Sequence, residues 1–137
     1  MIYYTNKLMK TRLLLADVLF WMHFVVGTFW LGLFFVPSSL WHDKITFHFY
    51  LTIIIVTHQF LWGLTIMPWT HKFRMVCILT TPMQLLRGQK ISDPENYNHS
   101  WFKEFFGYQG IKIPHKFSTI ITFSALFLAI YQFLFFR

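Results

Sequence analysis

Two histidines lie near the middle of two long apolar runs, and they are the residues best placed to do chemistry. His23 lies ~10 residues in from the inner end of the first run and His58 ~9 residues in from that of the second, so at ~1.5 Å per residue both imidazoles sit ~14–15 Å deep in a bilayer. Two imidazoles at matched depth on neighbouring antiparallel helices are the arrangement that ligates the iron of a b-type haem. The pair is therefore a candidate cofactor site, in which Gly27 and Trp62, one turn from each histidine, would border the macrocycle.

The same two histidines also fit a purely structural role. Intramembrane imidazoles commonly hydrogen-bond across a helix interface, and Thr57, Gln59 and Thr65 offer partners near His58. Three spanning helices also enclose a macrocycle less completely than a four-helix haem cytochrome does. The structural role is favoured on these grounds. The ligand hypothesis stays open, because an ionisable side chain at this depth is costly and usually has a function.

Three other reactive side chains fall in apolar surroundings. Asp17, about one turn inside the first run, is expected to pair with Arg12 or with a cation of the later loop rather than to serve a proton path. His48 is expected to reach water at the outer end of the second run. Cys77 is the only cysteine, so no internal disulfide is possible, and it is expected to be buried filler.

No catalytic residue is predicted. The sequence contains no Gly-rich phosphate loop, no Ser-His-Asp set and no paired carboxylates, so neither a hydrolase nor a kinase is supported.

The chain that positions these residues has the composition of a membrane protein. Hydrophobic residues make up 55% of its 137 residues and charged residues only 12%, about half of what a soluble domain carries. Residues 13–36, 45–67 and 117–136 are each long enough to cross a ~30 Å hydrocarbon core as a helix. The sequence predicts one all-α membrane domain with three spanning helices, the first two folded back on each other by the short turn 37–44.

The loop 69–116 is expected to lie on the inner side and to hold one or two short interfacial or re-entrant helices. Thr81-Pro82-Met83-Gln84 is typical of a capping box with Thr81 as the N-cap, and Gly88 would end that helix. A second short helix is expected to begin near Ser92. The loop's apolar stretches are too short to span the membrane by themselves.

The orientation follows from the distribution of lysine and arginine. Three spans leave only Lys44 and Arg137 on one side, while the other side receives the remaining basic residues, which are Lys7, Lys10, Arg12, Lys72, Arg74, Arg87, Lys90, Lys103, Lys112 and Lys116. Because inner loops are enriched in these residues, the N-terminus and the loop 69–116 are predicted to be inside, in a bacterial-type or organellar inner membrane. The net charge of +7 then requires no nucleic-acid partner.

The third apolar run carries small or polar residues at helical spacing. Ser118, Thr122, Ala125 and Ala129 recur at i+4, i+3 and i+4, which places them on one face. Membrane helices pack closely through such faces, so this one is predicted to contact neighbouring helices, including those of other membrane subunits.

Several short motifs resemble a family of small bacterial inner-membrane proteins that is classed as a domain of unknown function and has a Cys-Pro-Leu-Thr motif. The matching residues are Leu15-Ala16-Asp17, His23-Phe24, Gly32, His58, Trp62-Gly63, Cys77-Ile78-Leu79-Thr80 and Leu86-Arg87. The chain departs from the family at Ile78, which replaces the motif's proline, and at Met83, where a glutamate is usual. The family has no established activity, so the resemblance implies a membrane fold and no reaction.

Two functions remain after these observations. The first is a non-catalytic accessory subunit of a larger membrane complex, with a respiratory or other redox complex preferred. The alternative is an electron-transfer subunit that binds haem b through His23 and His58. A stand-alone transporter is disfavoured, because three helices without inverted repeats offer no machinery for alternating access.

Overall fold

The computed structural model describes residues 2–97, 101–114 and 116–137, and in this part of the chain it is helical without strands. Its elements are α1 (Ile2–Gly32), α2 (Lys44–Thr70), α3 (Thr80–Leu86), a 3₁₀ turn (Pro94–Tyr97), α4 (Trp101–Tyr108) and α5 (Phe117–Phe136). The predicted all-α class is confirmed. The 3₁₀ turn lies close to the short helix expected near Ser92.

Three of these helices are long and apolar enough to cross a membrane, as predicted. They comprise Met9–Gly32 within α1, the whole of α2 and the whole of α5. α1 begins well before the apolar run, at Ile2, and ends at Gly32 rather than Val36. It ends there because the next residues tighten into turns, with Phe35 N–H bonded to the Gly32 carbonyl at 2.9 Å.

α2 continues past the proline that was expected to close it. Pro68 lies inside the helix, which ends at Thr70, and His71 takes the left-handed conformation (φ 54°). The N–H of His71 bonds to the Met67 carbonyl at 2.9 Å and so caps the last turn. The chain reverses direction at His71, three residues later than the sequence suggests.

α1 and α2 are antiparallel but touch closely only near their connecting turn. There the Trp30 indole N–H donates to Thr52 Oγ1 at 2.9 Å. The helices make few contacts with each other elsewhere, and α1 packs instead against α3. The predicted hairpin is therefore correct at the turn, while towards its other end the two helices separate and a later segment fills the space.

His48 does not reach water, and that expectation is wrong. Its side chain is 1% exposed, with the ring centroid 4.2 Å from that of Phe34. Phe34 comes from the turn after α1, so the connecting segment covers the end of α2. The nearby Lys44 is also buried, and its ammonium donates to the Val36 carbonyl at 2.9 Å. It thereby satisfies a carbonyl of the connecting turn.

α5 packs on α2 through the small-residue face. Ala125 and Ala129 are 3% and 2% exposed, Thr122 is buried, and α2 is the helix in contact with α5. The stacked rings of Phe49 and Phe133, 4.1 Å apart, show that the pair is antiparallel. The prediction that this face meets protein is confirmed within the chain, whereas a partner subunit on the same face stays a prediction.

The predicted capping box is wrong. α3 begins at Thr80 with Leu79 as its N-cap, and no side chain caps it. Thr81 lies inside the helix, where its hydroxyl accepts the Trp62 indole N–H at 3.0 Å, and Gln84 donates to the Asn96 carbonyl at 3.0 Å. Tertiary hydrogen bonds thus claim the side chains that a cap would use. Gly88 follows the helix with φ 81°, which fits its expected role as the terminator.

Candidate functional site

After His71 the chain runs back along α2 as an extended strip, here called the re-entrant segment (residues 72–79). The Val76 N–H bonds to the Gln59 carbonyl at 3.4 Å, and the Ile78 N–H bonds to His58 Nε2 at 3.0 Å. From Thr70 back to His58 is twelve residues of helix, or ~18 Å, which is more than half of a ~30 Å hydrocarbon core. The chain therefore doubles back along α2 as extended backbone and then forms one short helix, α3, while the predicted re-entrant position in the membrane stays a prediction.

Gly63 makes the close approach of the re-entrant segment to α2 possible. A Cβ at this position would collide with the Arg74 carbonyl oxygen, and it would also meet the Phe73 ring at 3.2 Å. The Phe73 ring instead packs edge-on against Phe60, with centroids 5.3 Å apart. The absence of a side chain at Gly63 thus lets the re-entrant segment lie directly on α2.

Extended backbone at membrane depth requires hydrogen-bond partners inside the protein. His58 supplies one of them, because its Nε2 accepts the N–H of Ile78. Thr70 supplies another by donating its hydroxyl to the Lys72 carbonyl at 2.9 Å. A neutral imidazole that accepts at Nε2 carries its proton on Nδ1, so this bond also fixes the tautomer of His58.

A cavity of about 370 Å³ lies between the re-entrant segment and the three spanning helices. α1 contributes His23 and Trp30 to its wall, and α2 contributes His58. The two histidines predicted to lie together thus do line the same cavity. Ser118 of α5 also lines the cavity, at the end of the small-residue face that α2 covers less completely.

The arrangement of His58 does not fit ligation of a haem iron by its Nε2. The lone pair of that nitrogen is directed to the Ile78 N–H, and one lone pair cannot bind both a proton donor and a metal. Ligation through either ring nitrogen of the neutral imidazole would need the loss of this hydrogen bond, because freeing Nδ1 for a metal moves the proton to Nε2. The ligand role of His23 and His58 stays a prediction, with this bond as evidence against it.

Cys77 lies on the re-entrant segment and lines the same cavity. Burial raises the pKa of its thiol. The thiol is therefore in its protonated, poorly nucleophilic form at neutral pH. Cys77 is half-buried rather than buried, and its role as filler stays a prediction.

The expected pairing of Asp17 with Arg12 is wrong. Arg12 donates to the Leu85 carbonyl at 3.0 Å and so holds the C-terminal turn of α3 against α1. Asp17 is exposed, and no cation of the described residues lies within ion-pair distance of it. The ion pair between Arg87 and Glu104, at 2.9 Å, instead ties α3 to α4.

Sequence reasoning missed two aromatic residues of the cavity wall, Tyr97 and Phe102. Tyr97 is 9% exposed and packs with Ile66 and Val76, and its buried hydroxyl has no partner among the described side chains and backbone. Phe102 belongs to α4, which packs against α1, where the Phe105 and Phe24 ring centroids are 4.8 Å apart. No local pattern distinguishes these rings from the chain's many other aromatics.

Comparison with known proteins identifies no relative. No protein-family model matches the chain, and no curated protein or solved structure matches it either. The resemblance to the family with the Cys-Pro-Leu-Thr motif therefore stays a prediction.

Proposed function

We propose that this protein is a non-catalytic subunit of a larger membrane assembly and that α1 contacts a neighbouring subunit through Asp17. The observation that carries the proposal is the exposed carboxylate of Asp17 in a spanning helix. It lies five residues beyond Arg12, which is ~7.5 Å further along the helix axis. No cation in the described part of the chain pairs with it.

The energetics of the bilayer favour a partner at this position. A carboxylate costs ~2.5–3.5 kcal/mol at the centre of a spanning helix on insertion scales, and Asp17, about one turn inside the apolar run, bears a smaller cost of the same kind. A lysine or arginine of a neighbouring helix would offset that cost by pairing with Asp17. Trp21 and Thr28 are exposed on the same strip of α1, one and three turns further on, and extend the surface that a partner helix would cover.

We place this assembly among respiratory or other redox complexes because two imidazoles share a cavity at membrane depth. The shared cavity also favours the second candidate, a subunit that binds haem b through His23 and His58. That function requires His58 to release the Ile78 N–H. A reduced-minus-oxidised absorption spectrum of the purified protein decides between the two functions. A haem band in the wild type that disappears in His23→Ala would support the haem-binding subunit and contradict the non-catalytic one.

The assembly is tested by native electrophoresis of membranes solubilised in a mild detergent. The wild-type chain should migrate in a complex much larger than its own 16.6 kDa, and Asp17→Asn should release it. Asp17→Glu keeps the charge and should retain the complex. Asp43→Asn, which removes an exposed carboxylate from the connecting turn, is the matched control. Migration of the wild type as a monomer, or normal assembly of Asp17→Asn, would contradict the proposal.

A further inference from the structure

We propose that the cavity binds the head group of a neutral, lipid-soluble molecule of the quinone class. The carbonyl oxygens of that head group would accept hydrogen bonds from the cavity wall. The cavity lies within this single chain, so the proposal does not depend on the assembly described above. It rests on the depth of the cavity, the chemistry of its wall and its size.

The depth of the cavity selects molecules that dissolve in the bilayer. Its wall includes His58, which lies ~18 Å along α2 from the helix end at Thr70. On the other sides it meets α1 and α5, and these two helices are not among the helix pairs in extensive contact. A ligand with an apolar tail can therefore place its head in the cavity while the tail leaves between α1 and α5.

The wall offers hydrogen-bond donors to this ligand. The Nδ1–H of His58 is held in place because Nε2 is bonded to Ile78, and the His58 side chain lines the cavity. α5 adds the hydroxyls of Ser118 and Thr119. A donor in a low-dielectric cavity is costly to leave unpaired, so a ligand that brings acceptors is favoured over an aliphatic one.

The wall also excludes charged ligands and favours flat ones. None of its described side chains is a carboxylate, an ammonium or a guanidinium, so an ionised head group would find no counter-charge. Its rings are those of His23, Trp30, His58, Tyr97 and Phe102. Aromatic walls pack well on planar rings, which favours a quinone over the ester carbonyls of a glycerolipid.

The size of the cavity fits a head group rather than a whole cofactor. At about 370 Å³ it lies near the lower limit of ligand sites, which run from ~300 to 1,000 Å³. This space suits one substituted ring and leaves the tail outside.

The test measures binding of a decyl-substituted benzoquinone to the full-length protein in nanodiscs by quenching of tryptophan fluorescence. Trp30 lies in the cavity wall, so a bound quinone should quench it saturably. Ser118→Phe and Thr119→Phe each fill the cavity with a ring and should weaken the Kd about tenfold or more, which corresponds to ~1.4 kcal/mol. Ser124→Phe adds the same ring to an exposed position of α5 that does not line the cavity, and it should leave the Kd unchanged.

Three results would overturn the proposal. One is the absence of saturable quenching in the wild type. Another is an unchanged Kd in both filling variants, each of which should retain the wild-type elution volume and melting behaviour. The third is full reversal of the quenching by a diacylglycerol at concentrations close to the Kd of the quinone, which would assign the site to glycerolipid carbonyls.

Discussion

At the scale of single residues, His58 is a backbone anchor. Its Nε2 accepts the Ile78 N–H, which comes from a segment that has no helix to satisfy it. From the sequence, the predicted partner of His58 was a cofactor iron or a group on another helix. The actual partner was not predictable, because it is a backbone group twenty residues away in a stretch without periodicity.

Two replacements of His58 should separate the contribution of its hydrogen-bond acceptor, Nε2, from the contribution of its side-chain volume. His58→Leu leaves the Ile78 N–H unsatisfied and should destabilise the fold by ~1–3 kcal/mol. His58→Gln retains an acceptor of similar reach and should cost at most ~0.6–1.7 kcal/mol. The free energy of unfolding in detergent micelles measures both. A leucine variant as stable as the glutamine variant would show that the hydrogen bond contributes nothing.

Gly63 is the second residue whose identity the local contacts require. Gly63→Ala drives a methyl group into the Arg74 backbone and should cost ~1–3 kcal/mol through overpacking. Gly32→Ala is the matched control, since nothing lies near the added methyl group there. Protease sensitivity of residues 72–79 should rise in Gly63→Ala alone. Equal sensitivity of the two variants would rule out close backbone contact at Gly63.

At the scale of elements, apolar length and residue spacing predicted most of what the structure contains. The three spans follow from run length, and the small-residue face of α5 follows from its spacing. The start of α3 was misplaced, because Thr81 has the chemistry of a cap but bonds to Trp62 instead. The extended backbone of the re-entrant segment was not predictable in detail, because its hydrogen-bond partners lie on α2 and its own sequence has no strand or helix pattern.

The packing of α5 on α2 leads to a prediction about the alanines between them. Replacing Ala125 and Ala129 together by leucine should destabilise the protein by ~2–6 kcal/mol, because each added side chain overpacks a closed interface. Replacement of exposed Ser124 by leucine should have little effect. Thermal unfolding in micelles measures the difference. Equal melting temperatures for the two variants would contradict the assignment of this face to α2.

At the scale of the whole molecule, the orientation in the membrane stays a prediction from charge. The basic residues concentrate in the N-terminal part and in residues 69–116, which should therefore face inwards. In a version without Cys77, single cysteines next to Lys44 and next to Lys90 should react with an impermeant thiol reagent from opposite sides. Reaction from the same side would exclude three spans.

The re-entrant segment has a consequence for the order in which the protein is made. Residues 72–79 contain Lys72 and Arg74 and are too short to enter a bilayer as an independent helix. They pack against α2, and α3 packs mainly against α1 with a hydrogen bond to Trp62 of α2, so both need these helices in place first. Since α5 closes the remaining side, a nascent chain halted before Phe117 would have an incomplete pocket. We therefore expect biogenesis in two stages, insertion of the long helices and then packing of residues 72–79 and α3 between them, with the cavity formed in the second stage.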